Sequence, residues 1–342
     1  MKSQISKGRR LLARGSLFRW LGSVALLAIW CCTAMDARAQ SRIYYSDEFR
    51  SASMAVNGTD KRFDTGGEPS CLLHSGQGWF LQLRSVAGTC PDGRGRYEVF
   101  AVSQDLTSAV QLTDDPSFAP NDFRWLKDDS AVSCSGVHFH SANPLDGDSH
   151  IVRLAISDVG GVLAPAGPAI IVATAGVTLV SGPSLQSDIF SHDWAAGGNE
   201  LVFDDRPGYN AGYSVSRLRR VNIITGADSS IFDGGVNPVY SPNGAEIAFR
   251  RTGYQATPGI CAIRPNGSGL RIIVKDTQWI ANYDPVWSPD GASIAFGRQS
   301  ITQKQSTYTR DIFTAPSAGG NGAKFKNLTG DTADYVFLTG WR

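Results

Sequence analysis

Apolar and polar residues alternate in short runs along this chain, and turns rich in glycine and proline separate the runs. Alternation with a period of two is typical of β-strands that bury one face. The clearest case runs from Asn237 to Phe249, where Ser-Pro-Asn-Gly forms a turn between a strand ending in an aromatic and an Ile-Ala-Phe strand. The segment from Asp284 to Phe296 repeats this pattern 47 residues later. A repeat of this length indicates a β-hairpin unit that stacks on copies of itself.

In both copies, nine residues lead from the aromatic that ends the first strand to the phenylalanine of the second. The same spacing occurs in three earlier segments, which are Cys71 to Phe80, Trp125 to Cys134 and Trp194 to Phe203. A sixth copy opens at residues 334–337 and lacks its second strand, whereas Arg42–Ser46 at the other end of the chain resembles that strand. We therefore predict an all-β fold, a six-bladed β-propeller of four-stranded blades. Pairing of the N-terminal strands with the C-terminal strand closes the predicted ring.

The first 39 residues have the character of a secretory signal peptide. Six basic residues precede an uncharged stretch from Trp20 to Cys32, and Ala37-Arg38-Ala39 has the form of a cleavage site. The uncharged stretch is shorter than the about 20 apolar residues that span a bilayer. We expect cleavage to leave one domain, residues 40–342, with no transmembrane segment.

Removal of residues 1–39 changes the charge and the cysteine count. The segment holds 7 of the 32 Lys and Arg and 1 of the 31 Asp and Glu, which leaves a net charge of −5. A mildly acidic domain without basic runs is a poor candidate for nucleic-acid binding. Four cysteines remain, and an oxidising compartment favours a disulfide between Cys71 and Cys90. Cys134 and Cys261 lie in predicted strands of different blades, so we expect buried thiols there.

The repeated phrases Pro238–Gly244 and Pro285–Gly291, each followed closely by Ile-Ala-Phe, resemble the WD40-like repeat of the TolB propeller family. Asp311-Ile-Phe-Thr is similar to another segment of that repeat. The resemblance implies a bacterial protein of the periplasm, or a secreted one, that binds protein partners. TolB also carries an N-terminal α/β domain, which we do not expect in this chain, so a specific Tol-Pal role is not implied.

Six polar or acidic residues stand three positions before the aromatic of each copy, or before Cys71, which takes its place in the first. They are Glu68, Asp122, Ser191, Asn237, Asp284 and Asp334. Ring symmetry would place all six at one mouth of the central channel, where the carboxylates would favour a divalent cation or a basic partner. Alternatively, each side chain caps backbone N–H groups at its blade junction.

Three histidines form a second candidate site. His138 and His140 alternate on an extended strand, so their imidazoles face one side, and His150 follows nearby. Imidazoles in this arrangement suit a metal ion, with Asp146 or Asp148 as further ligands. The alternative is solvated histidines beside a polar loop. Some propeller-fold lyases of pectate fragments, which resemble this repeat family, use a metal bound by histidine.

Two further side chains need separate interpretations. Ser191 and His192 are neighbours in a strand and point to opposite faces, so they do not suit a nucleophile and its base. We expect a structural role for His192.

Trp279 precedes an innermost strand and either is exposed at the mouth or packs against its own loop. Long loops that we expect to carry specificity are 85–96, 141–149 and 204–212.

These features favour a monomeric, exported, non-catalytic scaffold that binds a protein or peptide partner at a channel mouth. We expect it to need no cofactor. The one ion that the channel carboxylates would favour is a divalent cation. The alternative function is a metal-dependent propeller enzyme of the oligosaccharide lyase or glycan-processing class.

Overall fold

The structure is a computed structural model of the chain. The residues that it describes are 41–47, 50–63, 79–91, 93–103, 107–140, 147–160, 162–175, 188–206, 216–252, 258–301, 308–320, 324–330 and 336–341. From Arg42 onward they belong to one compact unit. None of them forms a helix with the length and apolar character needed to cross a bilayer. The predicted signal peptide lies outside these residues, so its boundary and its cleavage stay predictions.

The strands follow one another with short turns between them. The N-terminal strands are β1 (Arg42–Asp47), β2 (Arg50–Ala55) and β3 (Arg62–Phe63). Blade 1 contains β4 (Trp79–Thr89), β5 (Gly95–Ser103) and β6 (Ala109–Gln111). Blade 2 contains β7 (Phe118–Trp125), β8 (Ala131–Phe139), β9 (Gly147–Val159), β10 (Val162–Pro165) and β11 (Ile170–Thr174).

The later blades are more regular. Blade 3 contains β12 (Asp188–Trp194), β13 (Glu200–Arg206), β14 (Arg217–Asn222) and β15 (Asp228–Asp233). Blade 4 contains β16 (Gly235–Tyr240), β17 (Ile247–Arg251), β18 (Gly259–Ile263) and β19 (Arg271–Lys275). Blade 5 contains β20 (Ile280–Trp287), β21 (Ser293–Ile301), β22 (Tyr308–Pro316) and β23 (Lys326–Asn327). The last strand is β24 (Val336–Trp341).

These strands form six antiparallel sheets in a ring, which confirms the predicted six-bladed propeller. The sixth blade has the order β24-β1-β2-β3, and Tyr44 of β1 pairs with Gly340 of β24. The two ends of the chain therefore share one sheet, as predicted. Blade 1 shows three strands because the segment predicted as its innermost strand lies outside the described residues. Blade 2 has a fifth strand because the long β9 pairs with both β10 and β11.

The repeated Ile-Ala-Phe has a direct packing explanation. Ile294 and Phe296 lie in the apolar cluster between blades 4 and 5, whereas Ala295 lies in the cluster between blades 5 and 6. Successive side chains of a strand point to opposite faces, so the large residues cover the preceding blade. The small alanine leaves room for side chains of the following blade. Phe249 and Ala248 divide in the same way one blade earlier.

The register of blade 6 differs from the prediction. Phe337 was expected to take the place of the repeated aromatic, but it pairs with Ser46, as Tyr283 pairs with Gly297 in blade 5. Trp341 takes that place instead, because it pairs with Ile43. The nine-residue spacing sets the register only where one hairpin holds both strands. In blade 6 the second strand lies at the other end of the chain.

The described cysteines are all buried. Cys134 and Cys261 have free thiols in the strands of two blades, as predicted. Burial raises the pKa of the Cys261 thiol to about 11, and burial also raises the pKa of Cys134. Cys71 lies outside the described residues, so its pairing with Cys90 stays a prediction.

Candidate functional site at the channel mouth

A β-bulge interrupts the innermost strands of blades 2 to 5 at the positions predicted for the ring. The register shifts next to Asp122, Ser191, Asn237 and Asp284. Asn237 and Asp284 have φ angles of 53° and 49°, in the left-handed region that asparagine and aspartate tolerate better than most residues. The bulge therefore explains the residue types at these two positions. We call the end of the propeller where the innermost strands begin the mouth rim.

The other two predicted members of the ring, Glu68 and Asp334, lie outside the described residues. In blade 6 the corresponding bulge lies between Leu338 and Gly340. The corrected register puts Leu338 at the position that Asp284 occupies in blade 5.

Asp122 connects blade 2 to blade 3. Its Oδ2 accepts a hydrogen bond from the backbone N–H of His192 at 3.2 Å, and its Oδ1 lies 3.2 Å from Nη2 of Arg124. Burial alone would raise the pKa of Asp122, but the Arg124 guanidinium and His192 outweigh burial and hold the pKa below its usual value. This carboxylate is therefore ionised and already paired.

His192 lies between Asp122 and Ser133 in an order that resembles a Ser-His-Asp triad. The Ser133 hydroxyl lies 2.7 Å from Nε2 of His192, and Nδ1 lies 3.2 Å from Oδ2 of Asp122 without hydrogen-bond geometry. Ser133 and His192 are both 0% exposed, and the hydroxyl also accepts a hydrogen bond from Nε1 of Trp194. A buried hydroxyl held in this way cannot meet a substrate. The arrangement supports the structural role expected for His192, and sequence reasoning missed Ser133 because it lies in the preceding blade.

Ser191 takes part through its backbone. Asp204 of β13 is fully buried and accepts hydrogen bonds from the N–H groups of Phe190 at 3.1 Å and Ser191 at 2.7 Å. The same carboxylate binds Nη2 of Arg206 at 2.7 Å and lies 3.5 Å from the backbone nitrogen of Asn237 in the next blade. Burial raises the pKa of Asp204 in spite of these partners. It holds two bulges in place at the junction of blades 3 and 4.

Three arginines surround Asp284. Arg310 Nη2 lies 2.6 Å from Oδ2 of Asp284, and the guanidiniums of Arg310 and Arg250 lie 5.0 Å and 3.8 Å from the ring centroid of Tyr283. Burial raises the pKa of Asp284, while Arg310, Arg250 and Arg124 each act to lower it. Arg124 belongs to blade 2, which stands opposite blade 5 in a ring of six, so these charges share the channel.

The described carboxylates of the mouth are thus accompanied by arginines that sequence reasoning missed. Arg250 and Arg310 lie on second and third strands, away from the repeated turn that revealed the ring positions. The one signal in the sequence is a basic residue two positions after the phenylalanine of each repeat, at Arg251 and Arg298, and it does not single out Arg250.

The three histidines of the second candidate site do come together on the mouth rim. The ring centroid of His138 lies 5.6 Å from that of His140 and 6.2 Å from that of His150. Nε2 of His140 lies 3.0 Å from Asp148, and Nε2 of His138 lies 3.7 Å from Asp115. Burial lowers the pKa of His150. Yet within the described ranges no group of three or more His, Cys, Asp or Glu side chains is arranged to hold a metal ion. Asp146, a further predicted ligand, lies outside these ranges, so the metal site stays a prediction.

Trp279 is 41% exposed in the turn between β19 and β20. Its backbone N–H donates to Oγ1 of Thr277 at 3.3 Å. Of the two alternatives that the sequence left open, the structure shows the exposed indole, on the mouth rim and close in sequence to Tyr283.

A cavity of about 390 Å³ opens between blades 1 and 2. Its lining is mostly apolar and includes Leu83, Tyr97, Pro120 and Phe139. Phe139 stands between His138 and His140 in the sequence, so the cavity and the histidines lie on opposite faces of the end of β8. Sequence reasoning missed this cavity because its lining comes from two blades.

The arrangement of blades is similar to that of several solved propellers. A putative TolB from Agrobacterium tumefaciens shares 17% identity with a TM-score of 0.52, over 87% of this chain and 98% of that protein. The fold is that of a TolB-like six-bladed propeller. No family model and no curated protein matches the chain.

Two enzymes share the TolB-like fold with this chain. Puromycin hydrolase has 14% identity and a TM-score of 0.52 over 83% of this chain, which spans only 42% of the hydrolase. Oligogalacturonate lyase in complex with manganese has 14% identity and a TM-score of 0.50 over 88% of this chain and 72% of the lyase. Identities this low show a common fold and leave the activity open.

The charge cluster in the channel gives a direct prediction. Replacing Arg250 with glutamine should raise the pKa of Asp284 further, because it removes one of the cations that lower it. An NMR titration of the aspartate carboxyl carbons measures this shift. The folded pKa of Asp284 lies above its unfolded value, so its contribution to stability is present at acid pH and lost as the pH rises through the folded pKa. Arg250→Gln should enlarge that loss.

Arg264→Gln is the matched control, since this exposed arginine follows β18 at the opposite rim of the same blade. It should leave the titration of Asp284 unchanged. An unchanged titration in Arg250→Gln as well would show that Arg250 does not lie beside Asp284 in solution.

Proposed function

We propose that this chain is an exported, monomeric, non-catalytic scaffold that binds a protein or peptide partner over the mouth rim. The observation that carries the proposal is the cluster of Arg250, Arg310 and Tyr283 beside the bulge at Asp284, with the exposed Trp279 on the same rim. Arginine, tyrosine and tryptophan are the side chains that dominate the binding energy of protein interfaces.

The loops around this rim support the proposal. In every antiparallel blade the second strand ends, and the third begins, at the end where the innermost strand starts. The loops between second and third strands therefore surround the mouth. In blades 2 to 5 they join β8 to β9, β13 to β14, β17 to β18 and β21 to β22. A rigid ring with loops around a polar centre is a common way to build a recognition surface.

The described reactive groups support a scaffold over an enzyme. The hydroxyl of Ser133 and the imidazole of His192 are buried and bonded to each other. The thiols of Cys134 and Cys261 are buried, and burial raises the pKa of both, which makes them poor nucleophiles.

The second candidate function is a metal-dependent enzyme of the oligosaccharide lyase or glycan-processing class. It is favoured by the closeness of the imidazoles of His138, His140 and His150. Among the described residues these side chains do not form a ligand set, and Asp146, a further predicted ligand, lies outside those residues. We therefore rank it below the scaffold.

Partner capture tests the proposed function. The purified propeller is used as bait in the exported-protein fraction of its native cells, and captured proteins are quantified by mass spectrometry. Trp279→Ala should reduce capture of the specific partner at least tenfold, because an exposed indole on the mouth rim contributes much of the contact. Ile224→Ala is the control, since Ile224 is 72% exposed beyond β14 at the opposite rim. Equal capture by both variants would contradict the proposal.

Elemental analysis separates the two candidate functions. We expect the purified protein to contain no stoichiometric transition metal. A metal bound at one equivalent, lost in His140→Ala and kept in Val159→Ala at the far end of β9, would overturn the scaffold in favour of the enzyme. Inductively coupled plasma mass spectrometry provides the measurement.

A further inference from the structure

We infer that the partner presents an acidic peptide segment, and that one of its carboxylates binds the guanidinium of Arg250 at the channel mouth. The inference rests on the proposed function and adds the chemistry of the partner. It reverses the charge expected from the sequence, where the predicted ring of carboxylates suggested a basic partner.

The ion pairs of Arg124 and Arg310, compared with the surroundings of Arg250, point to an anion site at Arg250. Arg124 is paired with Asp122, and Arg310 is paired with Asp284. Arg250 has no carboxylate within ion-pair distance in that part of the chain, and its Nε is buried without a hydrogen-bond partner. Of these three arginines, Arg250 is therefore the one without a direct ion pair, although it lies near enough to the buried Asp276 to act to lower the pKa of that carboxyl.

Stacking on Tyr283 orients the guanidinium of Arg250 in a way that suits a planar anion. Its guanidinium lies 3.8 Å from the ring centroid of Tyr283, so the aromatic face stabilises the cation from one side. A guanidinium carries five N–H donors in one plane, and stacking on a ring does not use these donors. A carboxylate accepts two parallel N–H bonds from one edge of that plane, which is the strongest pairing open to arginine.

Asp284 cannot fill this role itself. Its Oδ2 is bound to Arg310 at 2.6 Å, and its backbone is fixed by the bulge and a φ of 49°. Because the half-buried Arg250 remains unpaired, an incoming carboxylate would satisfy donors that the folded chain leaves unused. Recognition at this point would be specific for an anion.

A peptide fits this site better than an acidic sugar. Sugars bind aromatic side chains by stacking on an open face, and the face of Tyr283 is covered by Arg250. A glutamate or aspartate side chain needs only the edge of the guanidinium.

The test uses acetylated, amidated hexaglutamate as a fluorescent probe and the full mature chain. Fluorescence anisotropy should show saturable binding that weakens with salt. We expect Arg250→Gln to weaken binding at least tenfold and Arg264→Gln to leave it unchanged. Arg250→Lys, which keeps the charge and loses the planar fork, should fall between them. Thermal melting of each variant confirms that it is folded.

Several results would overturn the inference. Equal affinity in Arg250→Gln, no binding of hexaglutamate, or equal binding of hexaglutamine would each exclude an anion site at Arg250. Displacement of hexaglutamate by trigalacturonate at lower concentration would replace the acidic peptide with an acidic saccharide.

The same variants separate this inference from the proposed function. Capture that depends on Trp279 but not on Arg250 would leave the scaffold standing and remove the acidic partner. Binding of hexaglutamate through Arg250, without any capture that depends on Trp279, would leave an anion site and remove the scaffold.

Discussion

The pairing of β1 with β24 is the contact on which the rest of the structure depends. Ile43 and Met54, from the start of the chain, pack with Leu338 near its end and with Ala295 and Ile312 of blade 5 in one apolar cluster. Without this pairing, blade 5 would expose an apolar face and β24 an unpaired edge. Closure over nearly the whole chain costs entropy, and the buried contacts between blades offset that cost. The channel and its mouth exist because the ring closes.

Hydrogen bonds from three of the repeated aromatics join neighbouring blades. Nε1 of Trp194 donates to Ser133 in the preceding blade, and Nε1 of Trp287 donates to the carbonyl of Val239. The Tyr240 hydroxyl likewise donates to Glu200. These three polar groups therefore stabilise the packing of one blade against the next. Arg250 differs from these groups because its Nε has no hydrogen-bond partner among the described residues.

The fold could be predicted because Ile247-Ala-Phe249 repeats as Ile294-Ala-Phe296. Each such strand lies between two neighbouring blades, so it alternates large side chains on one face with small side chains on the other. In blade 6 the same reasoning did not identify Trp341 as the repeated aromatic, because no hairpin turn connects the two inner strands. The ring positions were singled out from the sequence, but the bulges at those positions were not predicted. Their charge balance was not predicted either, because partners such as Arg310 come from other strands and leave no spacing pattern.

Chemical cross-linking of the two chain ends tests the closed ring most directly. Tyr44 and Gly340 are paired residues, so their Cα atoms are about 5 Å apart, within the range that a disulfide spans. The double variant Tyr44→Cys and Gly340→Cys should form this disulfide under mild oxidation of the folded monomer, as peptide mapping by mass spectrometry would show. Two new thiols that stay free and react with alkylating reagent in the folded protein would contradict the closed ring.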